Sequence, residues 1–202
     1  MTDTYRIIAG PTRAEIKVKG SRFIAEALPA STPAEAEVQV AAIRKREYDA
    51  THHCWAYRIG VDGAQFRSSD DGEPSGTAGA PILRQIDAKE VTNTLVVVTR
   101  YYGGTKLGTG GLIRAYGDAA AAAMADAVVR EEIVRVTLKI RFPYDETSPA
   151  MRLIEEMEAS MTGSTYGDDT ELEVAVRASR VEAFREAFVE RLRGRGVIRL
   201  GS

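Results

Sequence analysis

The chain has 202 residues, one cysteine, 44% hydrophobic residues and a formal net charge of −2. It is long enough for one large domain or two small ones, and the near-zero charge excludes a basic surface over the whole protein, so nucleic-acid binding would need a local patch. A lone cysteine cannot form an internal disulfide, and neither an apolar leader nor a run of about 18 apolar residues occurs, so we predict a cytoplasmic protein without membrane association.

The first third of the chain predicts strands followed by a helix. The strands are predicted at three short apolar runs separated by glycine-containing turns, at residues 5–9, 15–19 and 23–28. Together they favour an opening antiparallel meander. Thr32 and Glu35 have the spacing of a capping box, so a helix is predicted from there to about Glu47.

The middle of the chain predicts a hairpin and then a central strand. The hairpin is predicted over residues 52–60 and 64–69, around an Asp62-Gly63 turn. After a polar loop, a short helix is predicted at residues 81–89. Residues 95–98 are a continuous apolar run, which is typical of a strand covered on both faces. A glycine-rich segment then leads into an alanine-rich helix.

From about residue 131 the pattern becomes that of a separate unit. Apolar and charged residues alternate from Val134 to Arg141, which predicts a half-buried strand. Later elements include helices beginning at Pro149 and at a Ser179/Glu182 capping box. The order βαββαβ predicts a ferredoxin-like unit. We therefore predict an α+β protein with domains at 1–130 and 131–202.

The glycine-rich segment is the first candidate site, because it joins a buried strand to a helix start, where backbone N–H groups and the helix dipole attract anions. It is not a nucleotide-hydrolysing P-loop, since Thr109 stands where that motif needs lysine. The predicted anion- or nucleic-acid-binding residues are Arg100, Tyr101, Gly103, Gly104, Lys106, Gly108, Gly110, Gly111 and Arg114. Two alternatives remain open: the glycines only allow a tight connection, or Arg100 or Arg114 pairs with nearby acids in a structural ion-pair network.

The second candidate is an acidic loop over residues 68–79, with carboxylates at Asp70, Asp71 and Glu73. A hard cation is conceivable there, but the spacing of an EF-hand is missing, so the favoured interpretation is that these acids make local turn hydrogen bonds.

A third cluster, His52, His53 and Cys54, lies on one predicted strand. The side chains of His52 and His53 point to opposite faces of that strand, so they cannot close a tetrahedral zinc site with Cys54. We predict no metal and no cofactor. The residues expected to rim a site are His52, His53, Asp70, Asp71 and Glu73.

Four motifs, in this order, closely resemble those of the YigZ/IMPACT family: GSRF at 20–23, HHC at 52–54, SDDGEPSGTAG at 69–79 and VVTRYYGGTKLGTGGL at 97–112. The resemblance implies a bacterial-type two-domain member. It implies an N-terminal domain like the second domain of a small-subunit ribosomal protein and domain IV of elongation factor G, and a C-terminal domain like domain V of that factor.

Likeness to translation modules implies binding to RNA or the ribosome, without sequence-specific recognition of DNA. Our leading hypothesis is accordingly a translation-associated regulatory protein. The alternative is an enzyme that acts on a small phosphorylated or carboxylated ligand in the groove between the acidic and glycine-rich loops. No residue spacing in the sequence forces a catalytic nucleophile or base, so we assign no catalytic residue.

Overall fold

The computed structural model describes residues 3–201, which form two compact units. The N-terminal unit spans Tyr5–Glu132. The C-terminal unit begins at Ile133 and includes the described residues Asp3 and Thr4. Among the helices described, none is both long enough and apolar enough to cross a bilayer.

The N-terminal unit combines strands and helices in the chain order β1 (Thr4–Ile8), β2 (Thr12–Val18), β3 (Ser21–Pro29), α1 (Pro33–Arg46), β4 (His52–Ile59), β5 (Gln65–Ser69), α2 (Gly79–Lys89), β6 (Thr94–Tyr101), α3 (Gly108–Ala125) and β7 (Val129–Ile133). Five of the strands form one antiparallel sheet in the order β2-β3-β6-β4-β5. The central strand is therefore β6.

Strand β6 explains the continuous apolar run, because both of its faces are covered. Val96 and Val98 pack with residues of α2 and α3, whereas Leu95 and Val97 pack with residues of α1. All four side chains are at most 1% exposed. The prediction of a central strand buried on both sides is confirmed.

Helix α1 also forms as predicted. The Thr32 hydroxyl accepts a hydrogen bond from the Glu35 backbone N–H at 3.1 Å, and the Glu35 carboxylate accepts one from the backbone N–H of Ser31 at 2.8 Å. Together they satisfy two donors at the start of the helix.

The predicted opening meander is only partly right. Strand β2 pairs with β3, but β1 pairs with β7 in a separate two-stranded sheet. The backbone N–H of Ala9 continues that pairing by donating to Val128 O at 2.8 Å. A pairing partner about 120 residues away leaves no local signal, and turn residues at Gly10 and Pro11 favoured the nearer strand.

The C-terminal unit has the chain order β8 (Arg135–Pro143), α4 (Thr147–Glu156), β9 (Ser160–Tyr166), β10 (Asp169–Arg177), α5 (Val181–Arg191) and β11 (Val197–Leu200). Its sheet order β11-β8-β10-β9 confirms the ferredoxin-like prediction, and with it the α+β class. Its core includes Leu138, Ile140, Phe184 and Phe188, each fully buried.

The predicted Ser179/Glu182 capping box is wrong. Ser179 lies in a short 3-10 turn, Ala178–Arg180, and α5 begins only at Val181. The Ser179 hydroxyl instead donates to the carboxylate of Asp3, in the same unit. A Ser-x-x-Glu pattern shows that a cap can form, but the serine hydroxyl can instead donate a hydrogen bond to an acceptor elsewhere in the chain.

Candidate functional site

The glycine-rich segment contains the loop that follows β6 and the first turn of α3. Gly103 and Gly104 lie between β6 and α3, whereas Gly108, Gly110 and Gly111 form the first turn of α3. Gly103 is held by close packing, since a Cβ there would lie 2.0 Å from the carbonyl carbon of Gly20. Gly104 and Gly108 have φ of +85° and +71°, a conformation that favours glycine.

The first turn of α3 has the features of an anion site. Leu107 occupies the N-cap position without a side-chain hydrogen bond, and the first turn contains no acidic residue. The unpaired N–H groups and the dipole of this 18-residue helix therefore carry their partial positive charge uncompensated. Lys106 and Arg114 are both exposed beside it, and neither forms an ion pair with any residue in 3–201.

Arg100, predicted to belong to the same anion-binding surface, lies beneath the surface instead. It is 5% exposed, and its guanidinium donates to Glu73 Oε1 at 2.6 Å and to Ser21 Oγ at 3.3 Å. The rings of Phe23 and Tyr102 lie 5.4 and 5.3 Å from the guanidinium carbon. For Arg100, the geometry is that of the ion-pair alternative.

Glu73 connects three segments of the N-terminal unit. Its Oε1 accepts from Arg100, at the end of β6, and from the hydroxyl of Tyr116, on α3, at 2.8 Å. The ring nitrogen Nε2 of His52 lies 3.9 Å away, beyond hydrogen-bond distance. Glu73 thus links the acidic loop, through buried hydrogen bonds, to the residues on both sides of the glycine-rich connection.

Asp70 caps helix α2. Its carboxylate accepts from the backbone N–H groups of Gly76 at 2.8 Å, Ala78 at 3.0 Å and Gly79 at 2.8 Å. Burial raises the pKa of this carboxyl, but the three backbone hydrogen bonds outweigh that effect and the net pKa is lowered.

Asp71 is also engaged within the protein. It pairs with Arg44 and accepts from the backbone N–H of His53 at 2.6 Å. Together with the cap that Asp70 provides, this geometry agrees with the interpretation of the acidic loop as a self-bonded turn.

The two histidines and the cysteine are held apart. His52 Nδ1 lies 2.8 Å from the carbonyl oxygen of Asp71, and His53 Nε2 lies 3.0 Å from that of Glu47, on the other face of the sheet. The Cys54 thiol donates to the Asp70 carbonyl at 3.0 Å. Burial raises the pKa of this thiol, so it is a poor source of thiolate.

The two tyrosines of the segment differ. Tyr101 donates its hydroxyl to Glu47 at 2.8 Å, and burial together with that acceptor raises its pKa to about 12. Its ring is covered by the guanidinium of Arg22 at 4.4 Å. Tyr102 is 46% exposed, so Tyr102 rather than Tyr101 presents an aromatic face to a ligand.

Two grooves flank Leu107 at the start of α3. The larger, about 270 Å³, lies between the acidic loop and α3, and the smaller, about 160 Å³, is lined by Lys19 and Arg114. The larger groove is lined among others by Glu73, Pro74, Tyr102, Lys106, Leu107 and Leu112. The structure thus brings Glu73, Arg100, Lys106 and the first turn of α3 together around one groove, while Asp70, Asp71 and His53 are engaged outside its lining.

Comparison with known proteins places this unit in a family. Residues 19–124 match the Impact N-terminal domain, and residues 140–195 match a domain of unknown function, DUF1949. The chain belongs to the IMPACT family. Family member YvyE of Bacillus subtilis (strain 168) is 34% identical over the whole chain and 93% of its own length. YigZ of Escherichia coli (strain K12) is 32% identical over 95% of each chain.

A solved structure has the same fold throughout. The crystal structure of a protein described as hypothetical superposes with a TM-score of 0.79 and 31% identity, covering 100% of this chain and 99% of its own. Every residue of the candidate site lies within the IMPACT match at 19–124.

Sequence reasoning missed two members of the site. Lys19, in the turn before β3, lines the same groove as Arg114 but is separated from it by 95 residues. Tyr116 lies in the alanine-rich helix, and the sequence does not distinguish a tyrosine whose hydroxyl bonds Glu73 from one that only packs its ring in the core. The GSRF motif directly after Lys19 was the only sequence signal that this turn belongs with the glycine-rich segment.

Proposed function

We propose that the protein is a translation-associated regulator that binds RNA through the N-terminal unit. The observation that carries the proposal is the uncapped start of α3, with no acid in its first turn and with exposed Lys19, Lys106 and Arg114 around it. Membership of the IMPACT family supports the link to translation.

The charge arrangement favours an anionic partner. Cations beside a helix N-terminus repel the positive end of the dipole, so this placement is unfavourable in the free protein and becomes favourable when a phosphate binds between them. Because the whole chain has a net charge of −2, attraction of an anion depends on a local patch of this kind and not on the overall charge of the protein.

Tyr102 supplies the second component of single-strand recognition. It is the exposed ring closest in sequence to Lys106, and it lines the same groove as Lys106. Aromatic rings stack on any base, which gives binding that tolerates sequence, while the cations hold the backbone.

The test is a charge-removal experiment on a short single-stranded RNA. Lys106→Ala with Arg114→Ala removes two cations of the patch, so two phosphates are no longer neutralised. We expect weaker binding and a slope of log K against log [salt] that is shallower by about 1.4, since each neutralised phosphate of a single strand contributes about 0.7 to the slope. The matched control is Lys45→Ala with Arg84→Ala, which removes one exposed lysine and one exposed arginine from α1 and α2.

The melting temperature should not fall in either double variant, since neither Lys106 nor Arg114 forms an ion pair with residues 3–201, and relief of repulsion from the α3 dipole should raise it slightly in the patch variant. If the patch and control variants lost RNA binding equally, the loss would result from the change in net charge, and the proposed site would be refuted. A lowered melting temperature in the patch variant alone would make the cations structural.

A second candidate function is supported by the larger groove. A pocket of about 270 Å³ with a buried Glu73–Arg100 pair in its lining has the features of a site for a small polar ligand, on which an enzyme acts. Thermal-shift screening of phosphorylated and carboxylated metabolites tests it. Stabilisation by one such compound, without competition by RNA, would favour this function over the first.

A further inference from the structure

The larger groove has walls and a floor of different chemistry. Its walls are apolar, from Pro74, Leu107 and Leu112, and the half-exposed ring of Tyr102 forms part of its lining. Clefts lined by apolar side chains and an aromatic ring bind aromatic ring systems. The volume of about 270 Å³ lies just below the range of about 300–1,000 Å³ for drug-sized ligands, so the occupant is about the size of one nucleotide.

The floor contributes one hydrogen-bond acceptor. The side chain of Glu73 is 5% exposed, and its Oε1 is fully engaged by Arg100 and Tyr116. Within residues 3–201, nothing donates a hydrogen bond to the other oxygen, Oε2. Glu73 also lines the groove, so Oε2 is an acceptor without a partner in the protein, and an occupant of the groove that supplies an N–H can bind it.

The mouth of the groove favours an anion, whereas the Glu73 carboxylate at its floor favours a hydrogen-bond donor. Lys106 and the first-turn residues Gly108 and Thr109 line the same groove, so its mouth carries a positive charge and the positive end of the α3 dipole. A ligand that suits the whole groove therefore combines a flat ring bearing an N–H donor with a phosphate. Nucleotides have this combination.

We propose that the groove is a nucleotide subsite. It takes one unstacked base that bears an exocyclic amino group, with that amino group donating to Glu73 Oε2, the ring against Tyr102 and the phosphate at Lys106 and the α3 N-terminus. The subsite rests on the proposed function where the nucleotide is part of an RNA strand, and a free nucleotide has the same recognition chemistry. Uracil is disfavoured, because two carbonyl oxygens flank its only N–H and would lie against the carboxylate.

The experiment compares oligocytidylate with oligouridylate of equal length, together with free CMP and UMP, by fluorescence titration. Cytosine and uracil have the same ring size, so the comparison isolates the amino group. We expect cytosine to bind about tenfold more tightly, the effect of one hydrogen bond to a charged acceptor. In Glu73→Gln the glutamine amide presents a donor instead of Oε2, and the preference should vanish or reverse.

A second variant avoids the buried network. Thr109→Phe places a bulky ring at an exposed groove position and leaves Glu73, Arg100 and the cations in place. It should abolish the cytosine preference with an unchanged melting temperature, whereas Ile113→Phe, on the same helix outside the groove lining, should retain it.

The outcomes separate this proposal from RNA binding in general. Tight binding of both oligomers without a cytosine preference, or a preference that persists in Thr109→Phe, overturns the subsite while the RNA proposal stands. A preference shown by CMP but by no oligomer supports the subsite and overturns RNA as the partner. Absence of binding by all four probes overturns both.

Discussion

Removal of the Glu73 carboxylate should destabilise the N-terminal unit severely. In Glu73→Ala, the guanidinium of Arg100 loses its only anionic partner among the described residues, and the side chain of Arg100 is only 6% exposed. The hydroxyl of Tyr116 also loses its acceptor. An uncompensated buried charge costs about 3–5 kcal/mol. For a urea dependence of about 2 kcal/mol per molar, the unfolding midpoint should fall by about 2 M.

The chain offers a selective probe for this measurement. Trp55 is the single tryptophan and is 8% exposed between α1 and the sheet, so its fluorescence reports unfolding of the N-terminal unit alone. Glu37→Ala is the matched control: its carboxylate pairs with Arg67 at 3.3 Å, but both side chains are about 60% exposed, and the loss should be under about 1 kcal/mol. If Glu73→Ala also lowered the free energy of unfolding by less than about 1 kcal/mol, the structural role of the buried Glu73 hydrogen bonds would be refuted.

Two further predictions concern the loops on either side of the groove. Gly103→Ala should destabilise the unit by about 3 kcal/mol or more, because the added methyl would overlap the backbone of Gly20. Gly110→Ala should be neutral or stabilising by up to about 1 kcal/mol, because a Cβ there meets no atom within 4 Å and alanine favours the helix. The urea midpoints of the two variants test the difference. Asp70→Asn should cost about 1 kcal/mol at neutral pH, the loss of a helix cap. Because the pKa of Asp70 is lowered on folding, its contribution is present above the usual carboxyl pKa and is lost as the pH falls through the lowered value. The gap between wild type and Asp70→Asn should therefore close on acidification, and a gap that stays constant with pH would contradict the role of the charge.

Sequence patterns predicted the elements of this fold well where the signal is local. The cap at Thr32, the buried run at 95–98 and the βαββαβ order each follow from spacing along a short segment. Pairings between distant segments were not accessible in the same way. The partner of β1 is β7, and no property of either strand alone distinguishes that pairing from a meander.

The candidate site shows the same division. Glycines, cations and acids were recognised from their residue types, but burial decided their separate roles. Arg100 and Lys106 are six positions apart, yet Arg100 is 5% exposed beneath the surface and Lys106 is exposed. The alternation of a strand sends Arg100 inward toward Glu73, while the loop that follows carries Lys106 outward.

The acidic and glycine-rich motifs form one unit because Glu73 binds residues on both sides of the glycine-rich connection. Its partners are Arg100, near the end of β6 before the connection, and Tyr116, on the helix after it. Fixing both ends positions the first turn of α3, whose own cap position makes no side-chain hydrogen bond. The helix start can therefore remain open to an anion without fraying, because its placement depends on the buried carboxylate and not on a cap that would occupy the same N–H groups. A ligand and a cap compete for those groups, and the network through Glu73 leaves them to the ligand.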